Sequence, residues 1–164
     1  MAQIELHPDF RDFLRLLNSH RVEYLVVGGY AVGYHGYPRA TGDLDIWIGL
    51  SEDNAERIVK TLHDFGMSER QVTKNLFTQE NKVIRMGVPP VRIEVITTAS
   101  GVDFEQCYKH REVIDMDGVP VNFISLHDLR RLYKSQQDTK RQSSPTFKAH
   151  GRPSDPPWLT LQVL

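Results

Sequence analysis

The chain has a single cysteine in 164 residues, Cys107, so no disulfide can form within it. That scarcity suits a reducing compartment. With no motif nearby to activate it, Cys107 reads as a buried, inert thiol. Long apolar runs are missing as well, and none approaches the roughly 20 residues that a membrane span needs. The first residues, MAQIELHPDFRDFL, carry neither the basic start nor the apolar stretch of a secretory signal. An excess of one charge is also missing: 20 basic residues stand against 21 acidic ones. No global field therefore draws nucleic acid or membrane, and any polyanion site has to be local. There are no internal repeats. These absences predict a soluble, cytoplasmic protein with no membrane partner. Its 40% hydrophobic and 25% charged residues are ordinary for one globular domain with a core of its own.

What is present falls into a clear order. Pro8 suits a first helical position, and Phe10, Phe13, Leu14 and Leu17 recur at three- and four-residue steps, which predicts a helix over 8–18. A hydrophobic strand over 23–27 stops at Gly28-Gly29. A short helix is expected over 30–35, ended by Gly36 and Pro38. The next strand, 44–48, alternates, with Leu44, Ile46 and Ile48 on one side and Asp43, Asp45 and Trp47 on the other. Ser51 reads as the N-cap of a helix carrying Ala55, Ile58, Val59, Leu62 and Phe65, and Gly66 as its end. Residues 82–87 and 91–97 read as a hairpin across Val88-Pro89-Pro90, and 112–116 with 119–124 as another turning at Asp117-Gly118. Ser125 caps a last helix that runs to about Lys134. The domain is read as 1–134, and 135–164, polar and proline-containing, as an irregular or remodelled C-terminal tail. Helices and strands in this order predict an α/β (α+β) fold, a mixed, mainly antiparallel sheet with helices packed on it.

The chemistry-bearing residues gather around residues 25–48. Asp43 and Asp45, two positions apart on a strand, project to the same side with Cβ atoms roughly 6–7 Å apart. That spacing suits oxygen-seeking divalent cations. Gly28 and Gly29 let the backbone approach a ligand closely, and the helix after them aims unpaired N–H groups at an anion. In VRIEVIT, Ile93 and Val95 face the core while Arg92, Glu94 and Ile96 turn the other way. Taken alone, Glu94 fits a solvated residue on an open sheet face. Placed beside strand 44–48 it joins the two aspartates, and three clustered carboxylates repel unless cations neutralise them. Mg²⁺ is the simplest balance, with Mn²⁺ as its substitute, because Mg²⁺ usually shares its shell with substrate phosphates.

Arg39, Thr41 and Lys134 join Gly28 and Gly29 as candidate nucleotide-binding residues. Each also has a plain structural reading: a solvated loop arginine, a hydrogen bond at the strand entry, a surface charge. Trp47 is either a wall for a base or a cover for the sheet. His35, Tyr30 and Tyr34 read as packing residues.

Val27-Gly28-Gly29, the thirteen-residue spacer 30–42, Asp43-Leu44-Asp45-Ile46 and the distal Ile93-Glu94-Val95 together resemble the polymerase-β-like nucleotidyltransferase superfamily. The longer run GGYAVGYHGYPRATGDLDIWI is similar to the small bacterial nucleotidyltransferases grouped with abortive-infection and toxin–antitoxin enzymes. The resemblance implies a nucleotidyltransferase-like fold and transfer of a nucleoside monophosphate from a nucleoside triphosphate to an acceptor hydroxyl on RNA, protein or a small molecule. It further implies Asp43, Asp45 and Glu94 as metal ligands and catalytic residues, and an antitoxin protein as a partner. KAHGRPSD, residues 148–155, resembles the C-terminal KAxGRPKDLADLEAL-like helix of such enzymes, but Pro156-Pro157-Trp158 breaks the match. A noncatalytic nucleotide- or partner-binding module and a metal-dependent phosphohydrolase are the competing readings.

Overall fold

The computed structural model describes residues 6–37, 42–88 and 90–143. Its first helix, α1 (Pro8–Ser19), starts at the proline, with His7 accepting the Asp9 N–H at 3.1 Å. Phe10, Phe13, Leu14 and Leu17 are all buried, as their spacing requires. β1 (Tyr24–Val27) is buried at every position, the mark of a strand covered on both faces. It passes straight into α2 (Gly28–Tyr34), so the glycine pair is the first turn of that helix and not a loop before a helix at 30–35. Gly28 makes the sharp entry possible by taking φ +70°.

β2 (Asp43–Ile48) buries Leu44, Ile46 and Ile48 in the main core. α3 (Glu52–Phe65) begins at Ser51, whose Oγ accepts the Asn54 N–H at 3.0 Å, and ends on Gly66 at φ +115°. A short 3₁₀ turn, Lys74–Phe77, precedes the hairpin of β3 (Val83–Val88) and β4 (Val91–Ile96). α4 (Phe104–Lys109) then leads to the second hairpin, β5 (Glu112–Met116) and β6 (Val119–Phe123).

α5 (Leu126–Ser143) corrects the expected helix end near Lys134. Residues 135–143 are helical where an irregular tail was expected to begin. Their polarity argued against a buried face, but no glycine or proline interrupts the run before Pro145, and Gln, Lys and Arg are good helix formers. The KAHGRPSD segment lies outside the described residues.

The six strands form one sheet in the order β3-β4-β2-β1-β6-β5. β1–β2, β3–β4 and β5–β6 pair antiparallel, while β1–β6 and β2–β4 pair parallel. The sheet is thus mixed and mainly antiparallel. Asn54 ties α3 to it: the buried side chain accepts the Glu23 N–H at 2.8 Å and donates to the carbonyls of Glu23 and Gly49 at 3.1 and 2.8 Å. No described helix is long and apolar enough to cross a membrane.

Candidate functional site

Strand alternation and register build the site in two short rows across one face of the sheet. The parallel pairing of β2 with β4 sets Asp45 opposite Glu94 and Asp43 opposite Arg92. On one flank β3 brings Arg85 opposite Glu94; on the other β1 brings Val27 opposite Asp45. One row therefore reads Arg85, Glu94, Asp45, Val27 and the next Gly87, Arg92, Asp43. Residues opposite each other point to the same side. The expectation that β4 lies beside β2 is met, and three acids distant in sequence become neighbours.

Arginines answer this negative charge. Glu94 Oε1 accepts from Arg85 Nε at 3.0 Å and lies 3.3 Å from Arg92 Nη2. The same Arg92 nitrogen stands 3.4 Å from Asp43 Oδ2. The sequence pattern placed Arg92 on the acid face without assigning it a role, and Arg85 went unnoticed. The signal for both was present: Arg92 is two residues before Glu94, and the hairpin register carries Arg85 across to it.

Asp45 is the most constrained acid. Its carboxyl is pushed up to about 7, first by burial, then by the charges of Glu94 and Asp43 and a hydrogen bond shared with Glu94, against a smaller lowering by Arg92. Gly28 closes over it: a Cβ added there would run into the Asp45 carboxylate. Gly29 follows as the half-buried second residue of α2.

These three acids offer the hard oxygen donors that Mg²⁺ or Mn²⁺ prefers. The donor chemistry matches such an ion, but among the described residues no group of three His, Cys, Asp or Glu side chains is placed to hold one. In the present arrangement Arg85 and Arg92 pair with Glu94, and Arg92 with Asp43.

The remaining candidates separate. Arg39 and Thr41 lie outside the described residues. Lys134 is exposed on α5 beside Ser135, which abuts Gly101 in the turn after β4. Trp47, 2% exposed, packs edge-to-face on Phe104 with ring centroids 5.2 Å apart, and thus covers the sheet. Tyr30 packs on Phe10 and Tyr34 stacks on Phe123. His35 Nε2 sits 2.7 Å from the Ile124 carbonyl. A cavity of about 700 Å³ opens at the other end of β2, lined by Trp47, Gly49, Lys82, Thr97, Asp103 and Phe104 among others, and none of the three acids lines it.

No family model matches the sequence, and no curated protein matches it. A solved structure does match: a crystal structure from Thermotoga maritima, described as that of "a putative nucleotidyltransferase", aligns with a TM-score of 0.63. The alignment covers 87% of this chain and 92% of that one at 15% identity. A likeness at that identity shows the fold, which is nucleotidyltransferase-like.

Proposed function

We propose that the chain is a divalent-metal-dependent nucleotidyltransferase, moving a nucleoside monophosphate from a nucleoside triphosphate to an acceptor hydroxyl. The observation that carries this reading is the meeting of Asp43, Asp45 and Glu94 on one face of two adjacent strands. A nucleotidyltransferase-like fold supports it. Asp43 and Asp45 would hold the metal, Mg²⁺ or Mn²⁺, and Glu94 would complete its shell. An ion held by these residues would supply charge neutralisation for the triphosphate and the leaving pyrophosphate and would lower the pKa of the acceptor hydroxyl. The rest falls to the chain: rigid strands fix the spacing of the acids, and the missing side chain at Gly28 lets the Asp45 carboxylate sit against the backbone there. Catalysis of this kind rests on alignment and charge complementarity, with no covalent protein intermediate.

The toxin-type assignment, an antitoxin partner and the acceptor class (RNA, protein or small molecule) extend the same reading. The test is incubation of the purified chain with Mg²⁺, each α-labelled triphosphate and separate pools of RNA, protein and small acceptors. Label transfer that disappears in Asp43→Asn supports the enzyme and identifies the acceptor. A second reading, a noncatalytic binding module, draws on the arginines that neutralise Asp43 and Glu94. Nucleotide binding without transfer across all pools would favour it.

A further inference from the structure

We propose that the cavity at the other end of β2 binds a small organic ammonium ion that also carries a hydroxyl or carbonyl oxygen. This stands apart from the nucleotidyl-transfer reading, since Asp43, Asp45 and Glu94 do not line the cavity.

Size and surface are the first argument. At about 700 Å³ the cavity has the volume of a small-molecule pocket. Trp47 lies opposite Ile96 as Asp45 lies opposite Glu94, so Trp47 stands one row beyond the acids on the same sheet face. The half-buried ring of Phe104 gives the cavity aromatic surface. Trp47 meets that ring edge-to-face at 5.2 Å, and Tyr108 stacks on it at 5.5 Å, which fixes its position. Gly49 leaves the space, because a Cβ there would run into the Phe104 ring. Aromatic faces attract ammonium groups.

The second argument separates polar groups already engaged from those left over. Ser51 Oγ accepts the Asn54 N–H at 3.0 Å, and Thr97 Oγ1 accepts the Lys82 N–H at 3.0 Å. Thr98 Oγ1 accepts the Asn81 N–H, and Asp103 Oδ2 the Gln106 N–H, both at 3.1 Å. The carboxylates of Glu23, Glu80 and Glu105 have no hydrogen bond or ion pair among the described residues. Against them, Lys82 is the one cationic side chain among the described residues that line the cavity. This excess of negative charge selects a cation. Trp47 supplies the other requirement. It is 2% exposed, and its indole N–H finds no acceptor among the described residues. Buried donors are nearly always paired, so the ligand oxygen is assigned to this one.

Trp158→Phe leaves Trp47 as the sole indole of the chain, and its N–H resonance can then be followed by nuclear magnetic resonance. The probe is choline at low salt; the control is the neutral alcohol in which carbon replaces its nitrogen. Choline should shift the resonance saturably, and the alcohol should bind about tenfold more weakly for want of the cation. That comparison needs no change at the site. Changing Glu23, Glu80 and Glu105 together to Gln alters exposed positions and should weaken choline about tenfold, whereas Lys82→Gln should tighten it about twofold. An unmoved or unsaturable resonance, equal binding of the alcohol, or choline binding indifferent to the triple change each overturns the proposal. So does a resonance that inorganic phosphate shifts and choline does not.

Discussion

At the scale of single residues, Asp45 is under three pressures at once: burial, the charge of Glu94 and the charge of Asp43. Its carboxyl in the folded protein, at about 7, lies above the ordinary 3.8. Between those two values the folded chain keeps a proton that the unfolded chain has lost, so stability falls as pH rises through that window and levels off above it. Asp45→Asn removes the ionised form from the buried position. In EDTA it should raise the unfolding free energy at pH 8 by about 1–3 kcal/mol and have much less effect at pH 5. Urea melts at the two pH values check this, and an equal effect at both would contradict the account. The two aspartates were legible because a period of two on a strand fixes their common side. Arg92 was legible only as a residue on that face, since its pairing depends on which strand lies next to β4.

At the scale of elements, two joints are informative. Asn54 makes three hydrogen bonds that fasten α3 to the chain at Glu23 and Gly49. Asn54→Ala leaves buried main-chain groups unpaired and should cost about 2–4 kcal/mol in urea unfolding. In the sequence Asn54 looks like an ordinary polar residue in a first helical turn, because its partners come from other elements. α5 is the second joint. Gln136→Pro should destabilise the chain by about 3 kcal/mol and lower its helical circular dichroism, as a proline inside a helix does. An irregular segment would tolerate the change. Capping residues made α1, α3 and the start of α5 readable, with Pro8, Ser51, Gly66 and Ser125 all acting where expected. The beginning of α2 was misplaced because Gly28-Gly29 signals a turn from its composition, whereas here the turn is itself the first turn of the helix. The end of α5 was misplaced because polarity was taken for irregularity.

At the scale of the whole molecule, the strand order decides the function proposed. Asp43 and Asp45 are neighbours in sequence, but Glu94 reaches them only because β4 inserts beside β2 in parallel, with a helix and a hairpin strand between them along the chain. Alternation within β4 showed which residues share a side; it carries no information on which strand is adjacent. The spacing from Gly28-Gly29 to the aspartates and on to Ile93-Glu94-Val95 supplied that expectation through resemblance. Nothing local to either strand could have done so. One sheet face thus gathers three acids and two arginines, with the Asp45 carboxylate packed against the bare backbone at Gly28. The measurement closest to the central claim is pyrophosphate release counted against label incorporated from an α-labelled nucleoside triphosphate, with Mg²⁺ and the acceptor pools. The account predicts one pyrophosphate per label transferred, and a loss of at least about a hundredfold for both in Asp43→Asn, the scale of losing a major electrostatic contribution to the transition state. Release of free phosphate in place of pyrophosphate, or transfer undiminished in Asp43→Asn, would contradict it.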